Sequence, residues 1–259
     1  MPGALTDSHS LGAALDRLAA DAWPALETEL DDGWRLRFNE GLHRRVNSVF
    51  PEQDGATPLE ARLARAEAFY RKHGLPPRFQ VSAASQPEGL DGYLQNRGYQ
   101  IESGVDIMTM EAENLASGTV SDVEVVLDPA LSDAWLDVHM AEARDAETKA
   151  LKGRMLERIR PSHVFARSVV DGKTLAAGLG IYDDGWCGIF GMFTLASARR
   201  QGHGRAILSA LADWTLAQGG QSAYLQVERD NPGGLAFYRR LGFETVHGYH
   251  YRTLWGTDQ

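Results

Sequence analysis

The feature that most constrains the fold of this chain is an internal repeat. Residues 225–243 carry Leu-Gln-Val, Pro, Leu, Tyr and Gly-Phe in that order, and residues 79–99 carry Phe-Gln-Val, Pro, Leu, Tyr and Gly-Tyr, displaced by 144 to 146 residues. Both copies predict a helix, a strand, a second helix and a glycine-aromatic turn. Chance matching of common strand and helix patterns is the alternative. We interpret the repeat as a duplication, which predicts two similar domains.

The segment between the two halves predicts a linker. Glu111 to Ser121 is polar and has no hydrophobic periodicity, and a chain of 259 residues is long enough for two small domains. We therefore predict one domain over residues 1–112 and a second over 122–259. Because strands alternate with helices and with short hairpin signals, we expect a mixed α/β (α+β) fold in each half.

Several local patterns predict individual elements. Gly33–Phe38 and Arg44–Phe50 are strand-like and separated by a polar link, which suggests a hairpin. Asp171-Gly172 lies between two further strand-like runs and is the strongest hairpin signal in the chain. The other predictions are a helix capped by Thr57, a helix Pro129–Ala143 capped by Asp128, a helix Gly204–Gln218 with Ile207, Leu211 and Trp214 on one face, and a closing pair of short strands.

Composition and charge exclude several classes of function. There are 26 Lys and Arg residues against 35 Asp and Glu residues, a net charge of -9, so nucleic acid and anionic membranes are not expected partners and a cationic amine would be attracted. The single cysteine, Cys187, cannot form an intramolecular disulfide, and no zinc-type spacing predicts a metal site. Met1–Ser10 lacks the features of a signal peptide, so we expect a cytoplasmic protein.

A glycine-rich turn carries the clearest chemical signal. The segment from Arg199 to Arg205 follows a predicted strand, opens a predicted helix and contains three arginines and two glycines. Such a turn presents unpaired backbone N–H groups at the positive end of a helix dipole, which suits a phosphate. The alternative is that the glycines only turn the chain. The turn lacks the Gly-Lys-Ser/Thr ending of a P-loop, and Ile207 replaces the third glycine of a dinucleotide fingerprint.

These residues resemble a known superfamily. Arg199-x-x-Gly202-x-Gly204 is similar to the (Gln/Arg)-x-x-Gly-x-(Gly/Ala) motif of the GNAT acetyltransferases. Asn231, Tyr238 and Gly242-Phe243 resemble the Asn-x-x-Ala-x-x-x-Tyr-x-x-x-Gly-Phe end of that family, although Gly234 stands in the place of the alanine. The resemblance covers about residues 122–255. It implies two GNAT-like domains, each a mixed, mostly antiparallel twisted sheet flanked by helices.

The resemblance also implies an acyl donor and an acceptor. It implies that acetyl-CoA binds with its diphosphate on the turn and its pantetheine arm along the strand at Met192–Leu195, and that an acyl group passes to an amine. The residues it implies for acetyl-CoA binding are Phe193, Thr194, Leu195, Arg199, Arg200, Gln201, Gly202, His203, Gly204, Arg205, Asn231 and Phe237. His203 could titrate near neutrality, but its place in the turn favours a bystander role in proton transfer.

Tyr238 is the candidate general acid. A tyrosine with a pKa near 10 would protonate a thiolate of pKa about 8.5 with an uphill cost of about 2 kcal/mol. A ring that only packs in the core is the alternative. A lysine-like acceptor is deprotonated about once in 2,500 molecules at pH 7, whereas an α-amine needs far less help from a base.

The general base is less well defined by the sequence. Gln226 occupies a place where some family members carry a glutamate, and glutamine cannot accept a proton. Glu228, two residues further on, is our candidate for the base. Asp183 and Asp184 are further candidates, and the alternative for both is that they only form a turn.

The N-terminal half has no Arg-x-x-Gly-x-Gly before its first repeat helix, so we predict a degenerate domain that does not bind CoA. Tandem members of the superfamily resemble this layout. A regulatory acyl-CoA-binding module that has lost turnover is the competing hypothesis, and a purely structural dimerising protein is a third. The sequence identifies neither the acceptor nor the oligomeric state.

Overall fold

The structure is a computed structural model that describes residues 8–117, 123–143 and 145–256. The helices are α1 (Ser8–Ala22), α2 (Leu59–Lys72), α3 (Leu90–Asn96), α4 (Ala112–Ser117), α5 (Asp133–His139), α6 (Ala146–Leu156), α7 (His203–Ala217) and α8 (Pro232–Leu241). The strands are β1 (Glu27–Asp31), β2 (Trp34–Phe38), β3 (Val49–Pro51), β4 (Arg78–Ser82), β5 (Gln100–Ile101), β6 (Val105–Glu111), β7 (Glu124–Asp128), β8 (Ser162–Val170), β9 (Lys173–Asp183), β10 (Trp186–Thr194), β11 (Ser222–Glu228) and β12 (Glu244–Thr253).

The chain forms two compact units that are interleaved in sequence. Among the described residues, the first unit comprises 8–106, 228–231 and 246–256, and the second comprises 107–117, 123–143, 145–227 and 232–245. The polar segment between the two halves predicts a single boundary near residues 113–121, so this simple division of the chain differs from the interleaved units. The assignment of an acetyl-CoA-binding domain to 122–259 and of a degenerate domain to 1–112 stays a prediction.

The first unit is built on strands in the order β1-β2-β3-β4-β12, with β5 paired to β12. Its apolar core joins strand residues such as Leu36 and Phe79 to Leu63 and Tyr70 of α2 and Leu94 of α3, and all five are at least 95% buried. The β12 partners of β4 run from Tyr249 to Thr253.

The second unit is built on strands in the order β6-β11-β10-β9-β8-β7. The pairs β7–β8, β8–β9 and β9–β10 are antiparallel, and β10–β11 is parallel. Ile207, Leu208 and Leu211 of α7 are completely buried in its core. The expected mixed, mostly antiparallel sheet flanked by helices is confirmed.

Local turn chemistry explains the hairpin between β8 and β9. Asp171 and Gly172 both have positive φ, 49° and 74°, and β8 pairs with β9 up to Val170–Lys173 beside them. A two-residue loop with both residues in the left-handed region matches the twist of the two strands. The hairpin prediction is confirmed.

Four local predictions are wrong in whole or in part, and the two helix caps among them fail because a distant group competes with the local pattern. Val49 and Phe50 of the predicted strand Arg44–Phe50 do form β3, which pairs antiparallel with β2 as expected for a hairpin. Arg44–Val46 is a single 3-10 turn rather than a strand, and the predicted closing pair of strands is the single strand β12. The Thr57 amide donates to the Asp32 carboxylate at 2.7 Å, and no side chain caps α2. Asp128 lies in β7 and pairs with Arg167 at 2.7 Å, while α5 is capped by Ser132.

The predicted linker is partly helical. Ala112 and Leu115 of α4 are buried, and Leu115 belongs to the core of the second unit. Residues 118–121 of the linker lie outside the described residues, as do residues 1–7 of the N-terminal segment. The two units show the same order of repeat elements, α2-β4-α3 and α7-β11-α8. The duplication itself stays a prediction.

Candidate active site

The glycine-rich turn lies directly before α7 in the second unit. Gly202 is the residue before the helix and has φ 91°, and Arg200 has φ 63°, a conformation that is uncommon for a residue with a side chain. The Ala206 amide donates to the Gly202 carbonyl at 3.0 Å, which is the first bond of the helix. The amides of His203 and Gly204 therefore belong to the first helical turn, and the N–H groups of that turn have no carbonyl partners within the helix.

The outer side of the turn is open. A Cβ added to Gly202 would meet no atom within 4 Å. Backbone N–H groups at a bend without a covering side chain can approach an anion closely. This geometry differs from a turn that is sealed by packed side chains.

Two predicted site residues from outside the turn, Thr194 and Phe237, lie against it. A Cβ on Gly204 would come within 3.4 Å of Phe237 Cζ and 3.9 Å of Thr194 Oγ1. The Arg199 Nε donates to the Thr194 carbonyl at 3.2 Å. The structure thus brings together Thr194, Arg199, Gly204 and Phe237, which lie up to 43 positions apart in the sequence.

The cations of the turn face solvent. Arg199, Arg200 and Arg205 are exposed, and Arg199 also pairs with Glu142 at 3.4 Å on the surface. Exposed ion pairs contribute little to stability, so this pairing leaves the Arg199 guanidinium accessible to a ligand at small cost. The exposed Gln201 donates from Nε2 to the Ser197 carbonyl at 2.9 Å.

His203 is buried beneath the turn. Its side chain is 3% exposed, and its Nδ1 is buried without a hydrogen-bond partner in the described structure. An orphaned buried polar atom costs free energy and calls for an explanation at a functional site. Within the described ranges no group of three His, Cys, Asp or Glu side chains could hold a metal ion.

Strand β10 leaves its neighbour before it reaches the turn. Its register with β11 ends at Ile189–Leu225 within the described residues, although β10 continues to Thr194. Its register with β9 shifts between Phe190 and Phe193. Phe193 and Thr194 pair with β9, and the Leu195 amide donates to the Leu175 carbonyl at 3.0 Å. One edge of this stretch of β10 is therefore free of β11.

Tyr238 is half-buried and packs against two other rings. Phe237 and Phe243 lie 5.2 Å and 5.7 Å from it between ring centroids. Burial raises the pKa of Tyr238 to about 12. The phenol is therefore protonated at every physiological pH, and it is a weaker acid than a tyrosine with the ordinary pKa near 10.

Glu228 and Asn231 belong to the first unit by backbone contacts. The Glu228 carboxylate pairs with Arg44, which also bonds Glu102 at 3.1 Å and lies over the Tyr251 ring. Asn231 is exposed, and its amide donates to the Glu228 carbonyl at 3.0 Å. The candidate base thus has a fixed counter-charge.

The single cysteine and the two aspartates at the β9–β10 turn have structural roles. Cys187 is completely buried, and burial raises the pKa of its thiol to about 11. Asp184 and Gly185 have φ 45° and 80° in the turn that joins β9 to β10, and Asp183 ends β9 beside it. The geometry supports the alternative of turn formation for both aspartates.

Two residues of α5 reach the irregular part of β10, and no sequence motif singled them out. Trp135 Nε1 donates to the Gly178 carbonyl at 2.8 Å, and His139 Nδ1 lies 3.0 Å from the Gly191 carbonyl. Their spacing of four positions places both rings on one side of the helix. That spacing was the only signal in the sequence.

The twisted sheet, the helices that flank it and the glycine turn before α7 define a GNAT-type N-acetyltransferase, an acyltransferase. The sequence profile of the family described as "Probable histone acetyltransferase Rv0428c C-terminal" matches residues 13–252. The chain belongs to this family.

Relatives of known name match over most of the chain. The "Uncharacterized N-acetyltransferase YobR" of Bacillus subtilis is 29% identical over 92% of this chain and 96% of its own length. The "Probable histone acetyltransferase Rv0428c" of Mycobacterium tuberculosis is 26% identical over 92% of this chain and 72% of its own length.

Solved structures share the fold at low identity. A GCN5-related N-acetyltransferase from Kribbella flavida has a TM-score of 0.69 and 18% identity, covering 95% of this chain and 96% of that one. A tandem GNAT protein from the clavulanic acid biosynthesis pathway has a TM-score of 0.68 and 17% identity, covering 93% and 87%. In the part of the chain that the structure describes, no helix combines the length and the apolar character needed to cross a membrane.

Proposed function

We propose that the protein is an acetyl-CoA-dependent N-acetyltransferase that transfers an acetyl group to a primary amine of a small molecule or peptide. The observation that carries the proposal is the open bend at Gly202, before a helix of 15 residues, beside a strand that has left its neighbour. The bend offers backbone N–H groups to the diphosphate of acetyl-CoA. The unpaired strand edge offers backbone groups to its long, flexible pantetheine arm.

The residues present fit the acyl donor. The amides from Gln201 to Arg205 would hold the diphosphate, with the exposed guanidinium groups of Arg199, Arg200 and Arg205 adding positive charge. The stretch from Met192 to Leu195, which is the free edge of β10 and the residue that follows it, would hold the pantetheine arm beside Phe237. Asn231 would donate a hydrogen bond to acetyl-CoA. When bound, acetyl-CoA supplies a thioester whose acyl group passes to the amine nitrogen as the CoA thiolate leaves.

Tyr238 would hold a proton on its hydroxyl for the departing sulfur. Because burial raises its pKa to about 12, transfer to a thiolate of pKa about 8.5 is uphill by about 3.5 units, or roughly 5 kcal/mol. The cost is larger than the 2 kcal/mol expected for an unperturbed tyrosine. For Tyr238 to act as the general acid, its proton must therefore move to the sulfur while the carbon–sulfur bond is breaking.

Glu228 is our proposal for the group that accepts the proton of the amine. Its carboxylate is 51% exposed and paired with Arg44. An acceptor with an α-amine of pKa near 8 is neutral in about a tenth of molecules at pH 7, so it needs less from such a base than a lysine does.

Calorimetry with acetyl-CoA tests the proposal. We expect one acetyl-CoA per chain, because only the second unit has the glycine turn. Two sites per chain would contradict the degenerate N-terminal half, and no binding would overturn the proposed function.

Release of free CoA then identifies the acceptor class. The amine panel should contain α-amines, polyamines and lysine peptides, including a histone-tail peptide because one relative is named for that substrate. We expect thiol release with at least one amine and none with matched alcohols. Binding without release to any amine would favour a module that has lost turnover.

A further inference from the structure

Two side-chain N–H groups from α5 occupy backbone carbonyls on neighbouring strands of the second unit. Trp135 Nε1 donates to Gly178 of β9 at 2.8 Å, and His139 Nδ1 lies 3.0 Å from the oxygen of Gly191 in β10. A carbonyl oxygen only accepts, so Nδ1 carries the proton and the His139 ring is the Nδ1–H tautomer.

The two carbonyls belong to residues inside the irregularity of the β9–β10 ladder. The register runs from Phe190↔Leu179 to Phe193↔Ala177, so that two residues of β10, Gly191 and Met192, oppose the single residue Gly178. This two-against-one arrangement is a β-bulge, which re-aims the backbone of the longer strand. The bulge begins at Gly191, two residues beyond Ile189, where β10 ends its pairing with β11.

The rings also pack on the bulge. Gly191 has φ 59°, and a Cβ added there would lie 3.2 Å from Trp135 Cη2 and 3.4 Å from His139 Cε1. The rings of Trp135 and His139 are 4.7 Å apart between centroids. Two directional bonds and two ring contacts therefore hold this short stretch of backbone in one conformation.

The imidazole is suited to donating a hydrogen bond and poorly suited to accepting a proton. Burial, with a smaller contribution from the positive charge of Lys152, lowers the pKa of His139 to about 3. A base this weak accepts a proton from an amine only at great cost. The Nδ1–H bond to Gly191, in contrast, persists across the working pH range.

We propose that His139, together with Trp135, is a positioning residue that holds the Gly191–Met192 bulge so that the free edge of β10 fits the thioester end of the acyl donor. This inference rests on the proposed function. It assigns to α5 a role in acyl recognition, in addition to its packing on β9 and β10.

The test compares three ligands by calorimetry: acetyl-CoA, CoA, and 3′-phosphoadenosine 5′-diphosphate, which is the head of CoA without its arm. His139→Leu removes the donor, and His139→Asn can keep an N–H at the place of Nδ1. His163→Leu is the matched control, because His163 is also half-buried and its Nδ1 lies 2.8 Å from a backbone carbonyl, that of Pro161.

We expect His139→Leu to weaken acetyl-CoA binding about tenfold, which is the effect of one hydrogen bond. The dissociation constant of CoA divided by that of acetyl-CoA should therefore move towards one. The head group should bind within about twofold of wild type in the same variant. His139→Asn and His163→Leu should keep the wild-type ratio. Trp135→Phe removes the other ring N–H together with part of the buried indole ring, and it should shift the ratio in the same direction. It serves as the second variant if His139→Leu fails to fold.

Three results would overturn the inference. An unchanged ratio in both His139→Leu and Trp135→Phe would show that the bulge needs no support from α5. Equal losses of acetyl-CoA affinity in His139→Asn and His139→Leu would show that the ring acts through something other than its Nδ1–H. Wild type that binds neither the head group nor acetyl-CoA would remove the proposed function itself, which separates that failure from failure of the positioning role.

Discussion

Replacing Gly202 by glutamate probes the proposed anion site directly. The new side chain would point into open space, since a Cβ at this position meets no atom within 4 Å. Because φ is 91°, any side chain there costs about 1 to 2 kcal/mol of backbone strain. That cost is smaller than the ~5 to 15 kcal/mol stability of ordinary domains, so the variant should fold.

The electrostatic effect on binding can be worked from Coulomb's law. A carboxylate about 5 Å from one phosphate charge costs about 1 kcal/mol in water and about 3 kcal/mol at an effective dielectric constant of ~20. The dissociation constant for acetyl-CoA should rise about 5- to 150-fold. Because mobile ions screen the repulsion, the loss should shrink between low and high salt.

Two control variants isolate the charge at the turn. Gly202→Ala adds the backbone strain without the charge. Gly219→Glu adds both at the other end of α7, where φ is 82° and a Cβ also meets no atom within 4 Å. Both controls should bind acetyl-CoA within about threefold of wild type. A folded Gly202→Glu protein with wild-type affinity, or with no more loss than Gly202→Ala, would refute the assignment of the turn to an anion.

Three further predictions concern single groups. Tyr238→Phe should lower kcat about 100-fold with little change in acetyl-CoA affinity, measured by thiol release and calorimetry, because the hydroxyl acts as sulfur departs. Cys187, buried with a thiol pKa of about 11, should react with a thiol reagent at pH 7.5 only when the protein unfolds. Asp91, whose pKa is lowered to about 2 chiefly by its bonds to Arg252, should add about 1 kcal/mol of stability after discounting for its 42% exposure. Since the folded pKa is below the unfolded value of about 3.9, that stability is present above pH ~4 and is lost as the pH falls towards ~2.

Each of these has a result that contradicts it. Wild-type turnover in Tyr238→Phe would remove the phenol from proton transfer. Rapid labelling of native Cys187 would show that its site opens easily. Acid unfolding curves of wild type and Asp91→Asn that differ by a constant amount from pH 6 to pH 2 would show that Asp91 gains nothing from its charge.

Most of the second unit could be predicted from the sequence because its signals are local. The Asp171-Gly172 hairpin, the helix face of Ile207 and Leu211 and the bend at Gly202 were all expected from residues close together in the chain. Each depends on backbone preferences that neighbouring residues impose. The predictions of β12, the cap of α2 and the start of α5 failed where the decisive partner was far away in sequence.

The candidate site shows the same division. Thr194, Gly204 and Phe237 were named from motif positions, and the structure places them together. The pairing of Glu228 with Arg44 joins residues 184 positions apart, so no local pattern could reveal it. Trp135 and His139 were missed because their chemistry consists of bonds to the carbonyls of Gly178 and Gly191 in other elements.

The sequence by itself determined the conformation of the turn before α7 and the chemistry that such a turn can offer, because glycine backbone freedom and the orphan amides of a helix start are properties of a few adjacent residues. Only the tertiary structure decided that β10 ends its pairing with β11 at Ile189 and that α5 supplies ring N–H groups to the bulge that follows. These features depend on how distant segments satisfy each other's backbone hydrogen bonds, and that choice is made only when the sheet assembles.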